Sequence, residues 1–406
     1  MIPLEEARRF VLGACRPLEP VRAALPDACG LVTAETVIAG EAIPAFDNTA
    51  VDGFAVRAAD TAGAAPDAPR RLAVVGLIAA GADLDLEVGP GQAARIMTGA
   101  PLPPGADAVV MVEVTRSAED HVDVLEPVAS GAAVRRAGDD LRPGESVFGP
   151  GEALSPGHLG VLASLGRYEV LAYRRPRVGV LSTGDELVDG PAPLARGQIR
   201  DSNRHTLLAM CGEAGFDAVD LGLVRDDEAL ITDALLAGAA SCDALITSGG
   251  VSMGDFDYIK VVLDKIGDMR WMQVAIRPAK PLAFGTVEGT PVFGLPGNPV
   301  SSMVSFELFA RPGLRQMMGL PPHKLDRPLV WAVSPDGLPR SPDGKTHFDR
   351  VVVTYGEAGY EVRSAGGQGS HQLFAMAKAD GLAVAPDGPG IAPGGRVQVM
   401  LLRPNP

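Results

Sequence analysis

A glycine-rich segment in the middle of the chain combines residue types that suit phosphate chemistry. It runs from Thr247 to Asp257 with the sequence TSGGVSMGDFD, after a predicted strand and before a predicted helix. Its glycines allow backbone N–H groups to point at an anion, and a helix N-terminus adds partial positive charge. Ser248 and Ser252 can donate hydrogen bonds to phosphate, and the aspartates can hold Mg²⁺ beside it. The alternative is an ordinary strand-to-helix turn in which an aspartate caps the helix.

Three acidic residues follow three different predicted strands. Glu186 lies in the STGDEL loop at 182–187, Asp226 follows the strand near 218–221, and Asp257 ends the glycine-rich segment. Because the carboxyl ends of parallel strands meet at one edge of a sheet, these side chains are expected to converge. Converging carboxylates repel each other unless a cation lies among them, so the pattern indicates a Mg²⁺ site. The alternative is that one or two of them only cap helices.

Two proline-rich turns supply cations and free backbone donors. The segment AIRPAKPL at 275–282 places Arg277 and Lys280 around two prolines, which stiffen the loop. A rigid cationic loop on an acidic protein suits an oxyanion, whereas the plain alternative is a solvated surface turn. The second turn, GLPGNP at 294–299, leads into a predicted helix, and its N–H groups can also face an anion.

The order of strand and helix patterns predicts how these loops are positioned. Residues 177–319 alternate between strands and helices, which predicts a mostly parallel, doubly wound sheet. An earlier β-rich stretch reads as an inserted module between two helical patterns, Ile2–Ala14 and Ser155–Leu165, which are expected to pack together. The end of the chain returns to short strands typical of a small β-barrel or sandwich. The predicted domains are 1–44 with 141–176 (helical and discontinuous), 45–140 (inserted β-rich module), 177–322 (α/β) and 323–406 (C-terminal β-barrel).

Composition excludes several classes of function. The 406 residues carry a net charge of −14, so nucleic acid, which is itself anionic, is not an expected partner. The four cysteines form no CxxC pair, which argues against a zinc knuckle and favours reduced thiols in the cytoplasm. The longest uncharged stretch, Gly289–Phe306, contains three prolines, so no membrane helix is expected.

Taken together, the motifs resemble one enzyme family. The chain resembles the molybdopterin molybdenumtransferases of the bacterial MoeA type, which are related to the E domain of gephyrin. The resemblance runs from the N-terminal helix to the end of the chain and depends on six motifs in order: FDNTAVDGF (46–54), RIMTGAP (95–101), STGDEL (182–187), SGGVSMGD (248–255), RPAKP (277–281) and LPGNP (295–299). Arg277 and Ala279 stand where a lysine and a glycine are often found, and Asp349 precedes Arg350 where an apolar residue is common.

The resemblance implies a reaction and a set of residues. It implies a homodimer of four-domain chains, with an α/β domain of the molybdopterin-binding type, that inserts molybdenum from molybdate into adenylylated molybdopterin. AMP is lost, and Mg²⁺ assists. The implied catalytic residues are Asp52, Thr98, Glu186, Asp226 and Asp257, of which the last three are also the implied metal ligands. The implied molybdopterin and nucleotide residues are Ser248, Gly249, Gly250, Ser252, Pro296 and Asn298. The implied molybdate residues are Arg277, Lys280, Pro281, Arg350 and Ser370.

Other interpretations share part of the pattern. A molybdopterin adenylyltransferase uses the same α/β domain but normally lacks the flanking modules, and a competence/damage-inducible-type hydrolase lacks the motif at 46–54. A scaffold like gephyrin needs partner-binding linkers, which this chain lacks. Other proteins of cofactor biosynthesis or molybdoenzyme maturation remain open as partners, as does the choice between molybdate and tungstate.

Overall fold

The computed structural model describes residues 1–81, 85–249, 251, 258–357 and 359–403. They form two compact units. The first comprises Met1–Ala34, Pro150–Ser155 and Leu171–Pro406, and the second comprises Glu35–Gly149 and Pro156–Val170. The division into four domains stays a prediction.

The helices of the described residues are short, and no helix among them is long and apolar enough to cross a membrane. In chain order they are α1 (Leu4–Ala14), α2 (Pro156–Ser164), α3 (Asn203–Glu213), α4 (Glu228–Ser241), α5 (Tyr258–Ile266), α6 (Pro299–Ser305), α7 (Arg311–Met317) and α8 (Leu373–Lys378). A π-helical turn joins α6 to α7, and 3-10 turns cover Leu25–Asp27, Ala58–Thr61, Val112–Val114 and Pro322–Lys324.

The strands of the described residues are numbered in chain order. The first thirteen are β1 (Pro20–Ala24), β2 (Val32–Thr33), β3 (Val37–Ile38), β4 (Asn48–Thr49), β5 (Gly53–Val56), β6 (Arg70–Ile78), β7 (Gln92–Ile96), β8 (Ala108–Met111), β9 (Thr115–Ser117), β10 (His121–Val124), β11 (Val134–Arg135), β12 (Ser146–Phe148) and β13 (Glu169–Tyr173). The α/β region contributes β14 (Arg177–Thr183), β15 (Leu187–Val188), β16 (Ile199–Arg200), β17 (Asp217–Val224), β18 (Ala244–Ser248), β19 (Gly267–Gln273), β20 (Ile276–Arg277), β21 (Pro281–Val287) and β22 (Thr290–Leu295). The rest are β23 (Leu329–Ser334), β24 (Leu338–Pro339), β25 (Thr346–Gly356), β26 (Gly359–Ser364), β27 (Gly381–Ala385), β28 (Gly390–Ile391) and β29 (Gly395–Leu401).

The predicted doubly wound sheet is confirmed in the first unit. Its six strands lie in the order β17-β14-β18-β22-β21-β19, and the first four are parallel. Alternate residues of the strands enter two separate cores: Val180 and Ile246 pack with α3, α6 and α7, whereas Leu181 and Leu245 pack with α4 and α5. Because both faces of the sheet are buried, its strands are apolar at nearly every position, as in β14 and β18.

One edge of this sheet differs from a purely parallel arrangement. Strand β21 runs antiparallel to β22, and β19 runs antiparallel to β21. The connection from β21 to β22 is Glu288 and Gly289, whose φ angles are 48° and 81°. Left-handed backbone at both positions suits a two-residue hairpin, and so short a connection cannot cross over to a parallel neighbour.

Strand order also creates a crevice. Strand β14 lies between β17 and β18, so the chain leaves β14 to one side and later returns to its other side. In open α/β sheets the ligand binds at such a switch point, beyond the carboxyl ends of the strands. The residues that follow β14 and β18 therefore face one crevice.

Helix α1 is held in the larger core of the first unit. Its buried residues Ala7 and Val11 are one turn apart, and the ring of Phe10 meets that of Phe284 edge-on at 5.9 Å. Helix α1 contacts α7 and β21, partners that the sequence pattern did not indicate. The expected pairing concerned Ser155–Leu165, most of which forms α2 in the second unit.

The C-terminal strands close into the small barrel that the sequence predicted as one of two options. Strands β25, β26, β23, β29 and β27 pair in that order, and β25 also pairs with β27. Strand β20 adds to the start of β25, with Arg277 opposite His347. The proline-rich cationic loop is thereby tied to the barrel.

The second unit is β-rich, as expected for residues 45–140, and it also includes flanking segments and the short helix α2. Its six-stranded sheet has the order β8-β5-β7-β6-β10-β9 over a core that includes Phe54, Val110 and Val122. The antiparallel pairing of β5 with β7 sets Gly53 opposite Ile96. Asp52 and Thr98, which lie just beyond that pair, are therefore brought to the same end of the sheet.

Candidate functional site

A cavity of about 260 Å³ occupies the crevice at the carboxyl ends of the parallel strands. Strand β14 contributes Ser182 and Thr183, strand β18 contributes Ser248, and Gly249 follows it. The remaining lining comes from loops, from the short strands β15 and β16, and from the first residues of α3 and α6: Glu186, Leu187, Ile199, Arg200, Asp201, Ser202, Asn203, Gly297 and Pro299. We call this space the strand-end cavity. Of the predicted nucleotide and metal residues it gathers Ser248, Gly249 and Glu186, whereas Gly250, Ser252 and Asp257 lie outside the described residues.

Hydrogen bonds from the start of α3 organise the strand-end cavity. The amide of Asn203 donates through Nδ2 to Ser248 Oγ at 2.8 Å and to the carbonyl oxygen of Gly297 at 2.7 Å. Asp201, which is buried, accepts from Ser182 Oγ at 3.1 Å and from the backbone N–H of Arg204. The helix start is thus bonded to β14, to β18 and to the loop after β22.

A buried arginine fixes that helix start. Only 4% of Arg204 is exposed, and its guanidinium contacts the carboxylates of Asp201, Asp220 and Asp189. Burial opposes the charged form, but the hydrogen bonds that the guanidinium donates to the three carboxylates outweigh it and raise the pKa of Arg204. Removing one partner of such a group would leave an uncompensated buried charge. The network therefore makes the position of Asp201 and of the following residues well defined.

One predicted metal ligand, Asp226, is bonded to Asp185, the residue that precedes the predicted ligand Glu186. The backbone N–H groups of Asp185 and Asp226 donate to each other's carboxylates at 3.4 and 3.3 Å. Burial raises the pKa of Asp226, and the negative charges of Asp185 and Glu186 raise it further, against the hydrogen bond from Asp185. Within the described ranges no group of three ligand side chains is assembled. The oxygen donors of Glu186 and Asp226 nevertheless fit a hard cation such as Mg²⁺.

A second cavity, of about 380 Å³, is lined by cations. We call it the cationic cavity. It is lined by Ile276, Arg277, Pro278, Ala279, Lys280, Pro281, Asn298, Ser301, Lys345, Gln368, Gly369, Ser370 and His371. The predicted residues Arg277, Lys280, Pro281, Asn298 and Ser370 are among them. The sequence analysis assigned no site role to Lys345, which enters from the loop before β25, or to His371.

The cations of this cavity are not equally available. Asp343 accepts from Lys345 Nζ and from the ring of His347, each at 3.0 Å, and it lies 3.8 Å from the guanidinium of Arg277. Burial works against the Asp343 charge, but the bonds from Lys345 and His347 outweigh it and lower the pKa of Asp343 to about 2. Lys280 is exposed and has no ion-pair partner among the described residues. Among the arginine and lysine residues of the described lining, Lys280 is therefore the one without an ion-pair partner.

The loop that presents Lys280 has an unusual backbone. Ala279 has a φ of 76°, in the left-handed region that disfavours residues with a Cβ. Its methyl group is only 2% exposed and lies in the core of the first unit. The packed methyl and the pairing of β20 with β25 hold the loop in place, so the cation is presented from a rigid turn.

Arg350 lies behind the lining. It is fully buried, and its guanidinium donates to the carbonyl oxygens of Gly367 and Gly369, both at 3.1 Å. Burial lowers the pKa of Arg350, the charge of Arg277 lowers it further, and the charge of Asp349 opposes both. In this structure Arg350 supports the loop that carries Ser370.

The two cavities share one stretch of chain. Gly297 and Pro299 line the strand-end cavity, whereas Asn298 and Ser301 line the cationic cavity. We call residues 297–301 the shared wall. It follows the buried Pro296, which lines neither cavity, and its Val300 N–H donates to the carbonyl oxygen of Ser370 at 3.1 Å. The predicted nucleotide and oxyanion positions are therefore neighbours within the first unit.

The predicted residues of the second unit also pair with each other. Asp52 Oδ1 accepts from both the backbone N–H and the hydroxyl of Thr98, each at 2.7 Å. These hydrogen bonds lower the pKa of Asp52, and the charge of Arg95 adds to the effect. Asp52 and Thr98 thus form an exposed, hydrogen-bonded pair at the end of the β5–β7 ladder.

Comparisons with known proteins cover nearly the whole chain. Three family models match in order: the MoeA N-terminal region (domain I and II) over residues 2–166, a probable molybdopterin binding domain over 179–316, and the MoeA C-terminal region (domain IV) over 338–402. The chain is 40% identical to molybdopterin molybdenumtransferase 2 of Mycobacterium tuberculosis over 98% of this chain and 99% of that protein. It is 39% identical to the molybdopterin molybdenumtransferase of Haemophilus influenzae over 94% and 93% of the two chains. The crystal structure of a molybdopterin biosynthesis MoeA protein from Pyrococcus horikoshii superposes with a TM-score of 0.83 at 29% identity, covering 99% of this chain and all of that one.

Proposed function

This chain belongs to the MoeA family of molybdopterin molybdenumtransferases, and we propose that it inserts molybdenum from molybdate into adenylylated molybdopterin, releasing AMP. It is accordingly a transferase of molybdenum cofactor biosynthesis. The matches to the N-terminal and C-terminal regions disfavour an adenylyltransferase, which normally lacks those flanking parts.

One observation carries the proposal: the shared wall lines both cavities, with Gly297 and Pro299 in the strand-end cavity and Asn298 and Ser301 in the cationic cavity. The reaction needs a pyrophosphate and an oxyanion side by side, because molybdenum enters the molecule from which AMP leaves. A crevice at strand ends with hydroxyl and glycine N–H donors suits the pyrophosphate. A pocket with Arg277, Lys280 and Lys345 suits the dianion, on a protein whose net charge of −14 repels it at long range.

The chain's own residues divide the work between the cavities. In the strand-end cavity, Ser248 Oγ accepts from Asn203 and keeps its own proton free to donate to a phosphate oxygen. In the cationic cavity, Lys280 supplies the uncompensated charge, and Ser370 supplies a hydroxyl donor. Arg350 contributes by holding the carbonyl oxygens on either side of Gln368, so that Ser370 stays at the cavity.

We assign Mg²⁺ to the carboxylate side of the strand-end cavity. Glu186 and Asp226 would hold it together with Asp257, which lies outside the described residues. When bound, the cation would withdraw charge from the pyrophosphate. Its binding would also relieve the repulsion that raises the pKa of Asp226.

The reaction itself tests the proposed function. Purified protein incubated with adenylylated molybdopterin, Mg²⁺ and molybdate should release AMP and form molybdenum cofactor, and tungstate in a parallel reaction shows which oxyanion is preferred. Omitting the oxyanion is the control. If AMP is released at the same rate with and without the oxyanion and no cofactor forms, metal insertion is contradicted.

We further propose a cytoplasmic homodimer. All four cysteines are unpaired, and burial raises the pKa of the Cys15 and Cys211 thiols to about 12, as expected for inert reduced thiols. The resemblance implies that the paired Asp52 and Thr98 are functional residues, and neither of them lines the two cavities of the first unit, which supports catalytic sites composed of residues from two chains.

Complementation tests the composite site. Asp52→Asn and Lys280→Ala should each be weakly active alone, and co-expression should restore activity through mixed dimers that contain one intact site. A fully active protein that sediments as a monomer would refute the dimer, and failure of two stably dimeric variants to complement would refute the sharing of sites.

A further inference from the structure

We propose that Asn203 is a positioning residue for both cavities: its amide holds the shared wall, so its loss weakens oxyanion binding in a cavity that Asn203 does not line. The proposal rests on the proposed function only for the choice of ligands, a nucleotide for the strand-end cavity and molybdate for the cationic cavity. The geometry itself involves described residues of the first unit alone.

Both donors of the Asn203 amide are committed. One N–H meets Ser248 Oγ at 2.8 Å, and the other meets the Gly297 carbonyl oxygen at 2.7 Å. These distances are short for N–H···O bonds, and an amide nitrogen has two hydrogens to donate. Asn203 therefore connects the end of β18 to Gly297, the first residue of the shared wall, which lies in the loop after β22.

Asn203 acts from a fixed base. It is the first residue of α3, between Asp201 and Arg204. Asp201 is bonded to Ser182 Oγ, and the Arg204 guanidinium is enclosed by three carboxylates. Because the base is held by buried charged contacts, the flexible partner in the Asn203–Gly297 bond is the wall. Gly297 is exposed, and a glycine left without this bond regains backbone freedom.

The position of the shared wall affects the lining of the cationic cavity. Three residues beyond Gly297, the Val300 N–H donates to the Ser370 carbonyl oxygen at 3.1 Å. Between them, Asn298 lines the cationic cavity, and its carbonyl oxygen accepts from the Ser302 N–H at the start of α6. A shift of Gly297 therefore moves a lining residue and loosens the bond that holds Ser370.

The central experiment measures each ligand separately. Binding of molybdate without nucleotide, and of AMP without molybdate, is measured by calorimetry on the full chain. Asn203→Ala should weaken both about tenfold, which corresponds to about 1.4 kcal/mol. The matched control is Ser248→Ala, which removes a hydroxyl of the strand-end cavity but keeps the Asn203–Gly297 bond. It should weaken AMP binding and leave molybdate affinity unchanged.

A second variant and a second readout separate positioning from general destabilisation. Asn203→Leu keeps the approximate size of the side chain but has no donor, so it should weaken molybdate binding as Asn203→Ala does. Hydrogen exchange at the Val300 amide should become faster in both variants and stay at the wild-type rate in Ser248→Ala.

The outcomes are distinct. If the wild-type protein binds both ligands and the folded Asn203 variants lose AMP affinity alone, the shared wall does not transmit position and this inference is wrong. If the wild-type protein binds neither ligand, the assignment of the two cavities fails, and the proposed function fails with it. Unchanged exchange at Val300 in variants with weakened molybdate binding would also overturn the inference, because the wall would then not have moved.

Discussion

Lys280 offers the sharpest test of the cationic cavity. Arg277 and Lys345 both face Asp343, at 3.8 and 3.0 Å, whereas Lys280 has no ion-pair partner among the described residues. Lys280→Ala should therefore remove the positive charge on which a dianion depends most. A hydrogen bond to a charged group contributes about 1.5–3 kcal/mol, which corresponds to a range of about 10- to 100-fold in affinity. Because Lys280 is exposed to solvent, the lower end, about tenfold, is expected.

The assay is AMP release coupled to cofactor formation, followed over a range of molybdate concentrations. Lys280→Ala should raise the molybdate concentration needed for half-maximal rate and leave the binding of adenylylated molybdopterin nearly unchanged. Saturating molybdate should restore most of the rate because the defect is in binding. Lys345→Ala is the matched control, with a smaller effect expected because Asp343 already neutralises that lysine. If Lys280→Ala abolishes nucleotide binding at every molybdate concentration, the loop serves the pterin or the phosphate, and the reasoning is refuted.

Three further predictions follow from the charges and the backbone of the first unit. The pKa of Asp226 is raised, so its ionisation disfavours the folded state as pH rises through that pKa. Without metal, Asp226→Asn should therefore raise the melting temperature at pH 7. The same variant should lower turnover at least tenfold and reduce the stabilisation that Mg²⁺ gives the wild type. The pKa of Asp343 is lowered to about 2, so the ionised carboxylate stabilises the fold above about pH 4, and this effect is lost as pH falls toward 2. Urea titration of wild type and Asp343→Asn should therefore show a difference in free energy of unfolding that shrinks over that range. A constant difference would contradict the prediction. Ala279 has a φ of 76°, in the left-handed region, and its methyl group is buried. Ala279→Gly should change the free energy of unfolding by less than about 1 kcal/mol, because relief of the backbone strain offsets the loss of the methyl group. Ala279→Val should lower the free energy of unfolding by about 2 kcal/mol or more, because a β-branched residue disfavours this backbone conformation.

The sequence was most informative where a signal is local. Alternating strand and helix patterns predicted the doubly wound sheet, and the prolines around Arg277 and Lys280 predicted a stiff cationic loop. The hairpin turn at Glu288 and Gly289 is also a local feature, but it was recognised only in the structure, where both residues have left-handed backbone angles. Such features depend on the conformational preferences of a few adjacent residues, so they can be predicted without knowing what the segment will touch.

The candidate site was only partly predictable, because proximity brings residues into it that have no motif of their own. Neither Asn203 nor Lys345 belongs to one of the motifs that the sequence analysis singled out. They become site residues only because Asn203 meets Gly297, 94 positions away, and because Lys345 meets the loop that carries Arg277. The position of Arg350 behind the lining is a matter of burial, which residue type does not determine.

By itself, the sequence determined which chemistry the molecule can hold: glycine and hydroxyl donors after one strand, carboxylates after two earlier strands, and cations on a proline-stiffened loop. The tertiary structure decided which of these groups meet and which are available. It closed the barrel by pairing β25 with β27, bonded Lys345 to Asp343 but left Lys280 free of ion pairs within the described chain, and made residues 297–301 line two cavities. The physical reason is that strand pairing and burial act between segments that are distant along the chain, and a side chain's charge acts according to the neighbours and solvent that this packing leaves around it.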